Sequence, residues 1–203
     1  MTAAALGVRA HSGWAVLVVV AGPPASPAAI ERRQLDLAIP GLPGAKQPYH
    51  AARQLALESA AQLVERSAAE AELRAEHGLR AAIDDLAAQG YEVAGYGVLL
   101  GSGKPLPPLA ATLASHALVH TAEGALFRRA LVRAGERCGL PVTAVRERDL
   151  YALGAAELGI PAAELQRRLA ALGKSLGPPW RQDEKHASLA AWLALAAAAR
   201  RAG

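Results

Sequence analysis

The stretch Ser115-His116-Ala117-Leu118-Val119-His120-Thr121-Ala122-Glu123-Gly124 carries the most distinctive chemistry in the sequence. His116, His120 and Glu123 stand at i, i+4 and i+7, so on a helix all three project from one face. Two imidazole nitrogens at that spacing can bind one transition metal, and a carboxylate can supply a third ligand. The same face continues with Leu109, Leu113, Phe127 and Leu131, so the polar triplet interrupts an apolar stripe. Polar groups in such a place need a partner, which could be a metal, a ligand or another side chain. No Glu follows His116, so this is not the zinc-protease helix motif.

Other candidates lie at the ends of the chain and in two loops. His11 and Ser12 fall in a bend of small polar residues, Ala10-His11-Ser12-Gly13. Asp183, Glu184 and His186 open the final helical stretch. Gly101-Ser102-Gly103-Lys104 precedes a helix as a phosphate cradle would, with free backbone N–H groups and one lysine. The spacing of a P-loop is absent, and a plain connection is the competing reading. Gln47-Pro48-Tyr49-His50 starts a helix with proline near its first turn, and Tyr49 and His50 could reach a site from there. His77 sits among charges and reads as surface, and Cys138, at a helix end, reads as a packed thiol.

These residues need elements to position them. Leu6 to Val20 reads as two strands of a hairpin, bent at His11 to Gly13 and closed by Gly22-Pro23-Pro24. Ile30 to Ile39 alternates as an edge strand with one wet face. Residues 48–89 are helical, either as two helices or as one bent near Gly78 and closed by Gly90. Tyr91 to Leu100 is a nearly continuous apolar run, expected of a buried parallel strand. A helix follows from about Leu109 to Cys138, then a short strand from Pro141 to Arg146. Helices near Ala155 to Leu172 come next, and a last helix begins at Asp183 after Gly177-Pro178-Pro179. This order predicts an α/β protein, a mixed sheet with helices on both faces, in one domain over 1–203.

Bulk properties narrow the function classes. The 203 residues carry a net charge of +4, which permits nucleic-acid binding without requiring it, since arginine-rich helices often hold such a surplus. One cysteine excludes an internal disulfide and a cysteine zinc cluster. The apolar run Trp14 to Ala21 is too short to span a membrane, so no membrane partner and a cytoplasmic location are expected.

The two ends of the chain resemble the RuvC-like branch of the ribonuclease-H superfamily. Leu6-Gly7-Val8-Arg9-Ala10-His11-Ser12-Gly13-Trp14-Ala15 is similar to that family's opening hairpin, and Asp183-Glu184-Lys185-His186-Ala187, with Leu189, Ala190 and Trp192, to its final helix. The resemblance implies a ribonuclease-H-like fold and a divalent metal such as Mg or Mn at a cluster of acids. Here Arg9 stands where the family's first acid would fall, and Leu99-Leu100-Gly101-Ser102 where the second would. Asp183 matches an acid of the last helix, and His186 stands in place of its companion.

Two functions stay open. One is a metal-dependent hydrolase of nucleic-acid or nucleotide phosphodiesters, using Mg, Mn or Zn. In it His11, His116, His120, Glu123 and Asp183 hold the metal, and Glu123, Asp183, Glu184 and His186 are the catalytic candidates. Ser12, Ser102, Lys104, Tyr49 and His50 are its substrate-binding candidates. The other is a noncatalytic ribonuclease-H-like module that binds nucleic acid, nucleotide or a protein after losing its acids.

Overall fold

A computed structural model describes residues 1–203 except Ser102 and Lys104. Five strands form one mixed sheet: β1 (Thr2–His11), β2 (Trp14–Ala21), β3 (Ala28–Asp36), β4 (Tyr91–Leu100) and β5 (Val142–Arg146), in the order β3-β2-β1-β4-β5. β1, β2 and β3 pair antiparallel, whereas β4 and β5 add in parallel. The first hairpin turns in only two residues, Ser12 and Gly13, and pairs His11 with Trp14. Gly13 takes a positive φ of +82° in that turn, a conformation glycine adopts without steric cost. β3 lies at the edge and alternates as its sequence predicts, with Leu35 buried and Gln34 and Asp36 on the wet face.

Alternation along the inner strands sends successive side chains into two different cores. Ala4, Leu6 and Val8 of β1, with Leu17 and Val19 of β2, face one helical layer together with Tyr96 and Val98 of β4. That layer holds α2 (Leu57–Ala88) and α4 (His116–Arg137), through Leu79, Leu86, Phe127 and Leu131. Ala5 of β1 and Val16, Val18 and Val20 of β2 face the opposite side, where α7 (Gln182–Ala202) lies. Two shorter helices, α5 (Leu150–Leu158) and α6 (Ala162–Leu172), pack beside α7 through Leu150, Leu165 and Leu169 against Leu189 and Trp192.

α7 lies unusually close to the sheet, and composition explains why. A Cβ at Gly7 would stand 2.0 Å from the carbonyl oxygen of Ala187, and one at Gly97 would stand 2.2 Å from that of Ala190. Only glycine on the strands and alanine on the helix permit that approach. It fixes the first turn of α7, with Asp183, Glu184 and His186, over the end of β1 that carries Arg9 and His11.

Both long helical segments are interrupted. The 48–89 segment takes the two-helix alternative, with its break between α1 (Pro48–Ala52) and α2. Gly78 stays helical and lets α2 approach the sheet, because a Cβ there would press to 3.0 Å from Leu35 of β3. The segment from Leu109 also breaks, giving α3 (Leu109–Ala114) and then α4, because Ser115 leaves the helix and caps α4 through its side chain. Leu109 and Leu113 therefore sit on a different helix from His116, and the apolar stripe is not continuous. No helix among the described residues is long and apolar enough to cross a membrane.

Candidate functional site

The sheet brings its chemistry to the end of β1 and β5. Arg9, near the end of β1, extends its guanidinium between two carboxylates. It donates to Asp183 of α7 and, at 2.8 Å, to Glu147, the residue directly after β5. His11 Nε2 lies 3.0 Å from the other oxygen of Asp183, and its ring stacks on Trp14 with centroids 4.2 Å apart. His186, one turn along α7, points its Nδ1 to 3.5 Å from Glu147 and packs edge-on to Tyr151. Burial holds the His186 imidazole below its ordinary pKa, opposed by the nearby Glu147 carboxylate. This side chain therefore favours the neutral form.

Donor chemistry decides what this cluster can hold. Hard divalent cations need carboxylate or carbonyl oxygens free to converge on the ion. Here Asp183 and Glu147 converge on the Arg9 guanidinium, which occupies one oxygen of each with a charge-assisted hydrogen bond. The residues present do not fit a two-metal centre.

A second cluster lies on the other layer of the molecule. His116, in the first turn of α4, and His120, one turn further, set their Nε2 atoms 3.1 Å apart. His50 from α1 completes the group, with ring centroids 4.7 Å from His120 and 5.7 Å from His116. One donor nitrogen from each of the three lies within 4.8 Å of the others. Glu123 sits behind His50 rather than among the nitrogens. It is 2% exposed, and its Oε1 accepts the backbone N–H groups of Tyr49 and His50 and lies 3.2 Å from His50 Nδ1. α1 has no side-chain cap of its own, so Glu123 caps it from across the interface. Burial raises the Glu123 pKa, and the hydrogen bonds from His50 and Tyr49 act against that rise.

The sequence candidates therefore fall into two groups. His11, Asp183 and His186 meet at the sheet end with Arg9 and Glu147. His116 and His120 meet His50, backed by Glu123, and the one metal-capable cluster among the described residues contains neither His11 nor Asp183. The single composite site expected from the sequence is thus divided, because α4 and α7 lie on opposite faces of the sheet. Glu184 is engaged at the start of α7, where its carboxylate accepts the Arg181 N–H at 2.7 Å. Ser12 is exposed in the hairpin turn, and Tyr49 is a partly buried packing residue beside the main core. Ser102 and Lys104 lie outside the described residues.

Glu147 belongs to the site although sequence reasoning misses it. A signal was there, since it follows the predicted strand at the carboxyl end of a parallel pair, where α/β sheets place their sites. Arg128 is missed too. Its guanidinium lies against Gly101 and Gly124, where a Cβ would come within 2.8 Å and 2.6 Å of Nη2. It lines a cleft of about 220 Å³ with Arg129, Thr121, Gly101 and Gly103.

An antiparallel hairpin extended by parallel strands in the order β3-β2-β1-β4-β5, with helices on both faces, is a ribonuclease-H-like α/β fold. Within that class the fold is similar to that of RuvC. The chain is similar to a structure of T. thermophilus RuvC in complex with Holliday junction substrate, at TM-score 0.52 and 13% identity. It is similar also to a second Thermus thermophilus RuvC structure, at TM-score 0.53 and 13% identity. Each similarity covers 98% of this chain and 96% of the other. No protein-family model and no curated protein matches the sequence.

Proposed function

We propose that this chain is a noncatalytic ribonuclease-H-like module that binds the nucleic-acid backbone. The observation that carries the reading is Arg9, whose guanidinium bonds both carboxylates at the sheet end where a cation would sit. A guanidinium there supplies a positive charge but no Lewis acid and no activated water. Binding draws support from Arg128 and Arg129 in the cleft and from Arg146 beside Gly103. The relative of known structure that is bound to a Holliday junction points to branched DNA as the first ligand to try.

The test is fluorescence anisotropy with a four-way DNA junction, a duplex and a single strand over a range of salt, beside cleavage assays in MgCl2 and MnCl2. Binding without cleavage is expected. Replacing Arg128 or Arg129 with alanine should lower the salt slope by about one for each phosphate that the native side chain neutralises. Metal-dependent cleavage abolished by Asp183→Asn would overturn the noncatalytic reading, and absence of binding to all three ligands would overturn the binding reading. A metal-dependent phosphodiester hydrolase is the second reading, favoured by one observation, the three-histidine cluster at α1 and α4.

A further inference from the structure

We propose that His50, His116 and His120 form a mononuclear transition-metal site of the kind that takes Zn²⁺, with Glu123 holding His50 in place from behind. The inference does not depend on nucleic-acid binding, because the cluster is separate from Arg9 and its carboxylates.

The spacing is that of ligands around one ion. With Zn–N bonds of about 2.0–2.1 Å, two nitrogens of a tetrahedral site stand about 3.3 Å apart. The Nε2 atoms of His116 and His120 already stand 3.1 Å apart. The third nitrogen, from the half-buried His50, lies within 4.8 Å of both. His116 and His120 come from successive turns of one helix, so α4 presets two of the three ligands before any metal arrives.

Glu123 provides the second, independent observation. A ligating histidine typically donates its other ring N–H to a carboxylate, which fixes the tautomer and the ring plane. Glu123 Oε1 lies 3.2 Å from His50 Nδ1, so the proton belongs at Nδ1 and the Nε2 lone pair is left for an ion. The other oxygen of Glu123 is buried and has no hydrogen-bond partner among the described residues. Removing a carboxylate from water at this depth is costly, and holding α1 and His50 is the compensation the structure shows. The i+7 spacing alone would make Glu123 a ligand, whereas packing makes it the carboxylate behind the ligand.

Three imidazoles and no oxygen donor select the metal. Such a set suits Zn²⁺, Cu²⁺ or Ni²⁺ and disfavours Mg²⁺, which demands oxygen ligands. His116 and His120 are exposed, so a fourth position opens to solvent, where water or an external ligand binds. The ion would also clip the five-residue α1 to α4.

The experiment uses the full, untagged chain, stripped with a chelator and titrated with CoCl2 and then ZnCl2. The expected result is one Co²⁺ per chain, with the intense visible bands of four-coordinate cobalt, displaced by one equivalent of ZnCl2 and not by MgCl2. His50→Ala and His116→Ala should each abolish the bands. His116 is exposed, so that variant should fold, which far-UV circular dichroism checks. Glu123→Gln should keep the one-to-one stoichiometry and weaken binding by roughly 10–100-fold. His77→Ala should leave the bands unchanged. Failure to bind either ion, or binding that survives both His50→Ala and His116→Ala, overturns the site. If Glu123→Gln destroys the bands while remaining folded, Glu123 is itself a ligand and its assignment behind His50 is wrong.

Discussion

Arg9→Asp is the most direct probe of the sheet-end cluster. In the native chain one cation and two anions, Arg9, Asp183 and Glu147, form a hydrogen-bonded group. The substitution leaves three anions and no cation. It removes two hydrogen bonds to charged partners, each contributing about 1.5–3 kcal/mol in full burial. The Arg9 side chain is 21% exposed and that of Glu147 is 40% exposed, so the sum must be discounted for solvent screening. A net destabilisation of about 3 kcal/mol follows, with mutual repulsion of the three carboxylates included. For a chain of this length 1 kcal/mol moves Tm by roughly 2–4 °C, so the variant should melt about 6–12 °C lower without metal. The three carboxylates then resemble a hard-cation site. An added divalent ion at about a hundred times its Kd restores about 2.7 kcal/mol, most of the deficit. The assay is differential scanning calorimetry of both proteins in MgCl2 and in NaCl of equal ionic strength. The variant should recover in MgCl2, while the native protein should not respond. A native protein that gains a comparable magnesium-dependent shift would refute the claim that Arg9 takes the cation's place. So would a variant that neither loses stability nor responds to the ion.

Three further outcomes follow from other parts of the molecule. Tyr96 is fully buried with no partner for its hydroxyl among the described residues, and burial drives its pKa well up. Tyr96→Phe should therefore leave stability unchanged or raise it by about 1 kcal/mol in urea unfolding, whereas a drop of that size would mean that the hydroxyl has a partner. Gly97→Ala places a Cβ 2.2 Å from a backbone oxygen of α7, which cannot move aside as a side chain can. It should cost at least about 3 kcal/mol, the upper end for overpacked cores, read as a lower urea midpoint. His186 is held below its ordinary pKa of 6.5 mainly by burial, so the unfolded chain takes up its proton first as pH falls. Its contribution is complete above pH 6.5 and disappears as pH drops through the depressed folded value. His186→Gln should flatten that part of the stability profile, and an unchanged slope would place the titration elsewhere.

The order of elements and the two faces of the sheet were legible in the residues alone. The continuous valine-rich run Trp14–Ala21 and the Gly13 turn specify a hairpin, because strand propensity and positive φ are local properties. Helix spacing likewise put His116, His120 and Glu123 on one face. Glycines 7 and 97 were visible as residues but not as the reason α7 lies so close, since that depends on Ala187 and Ala190 far along the chain. Partnership, by contrast, came from packing. His50 joins His116 because α1 packs on α4, and Glu123 turns away from the imidazole nitrogens because its carboxylate meets the start of α1. Arg9 meets Glu147 and Asp183 because parallel pairing of β1, β4 and β5 and the seating of α7 bring together residues 138 and 174 positions apart. Local sequence sets the direction in which a side chain points, but the group it meets is chosen by packing between elements distant in the chain.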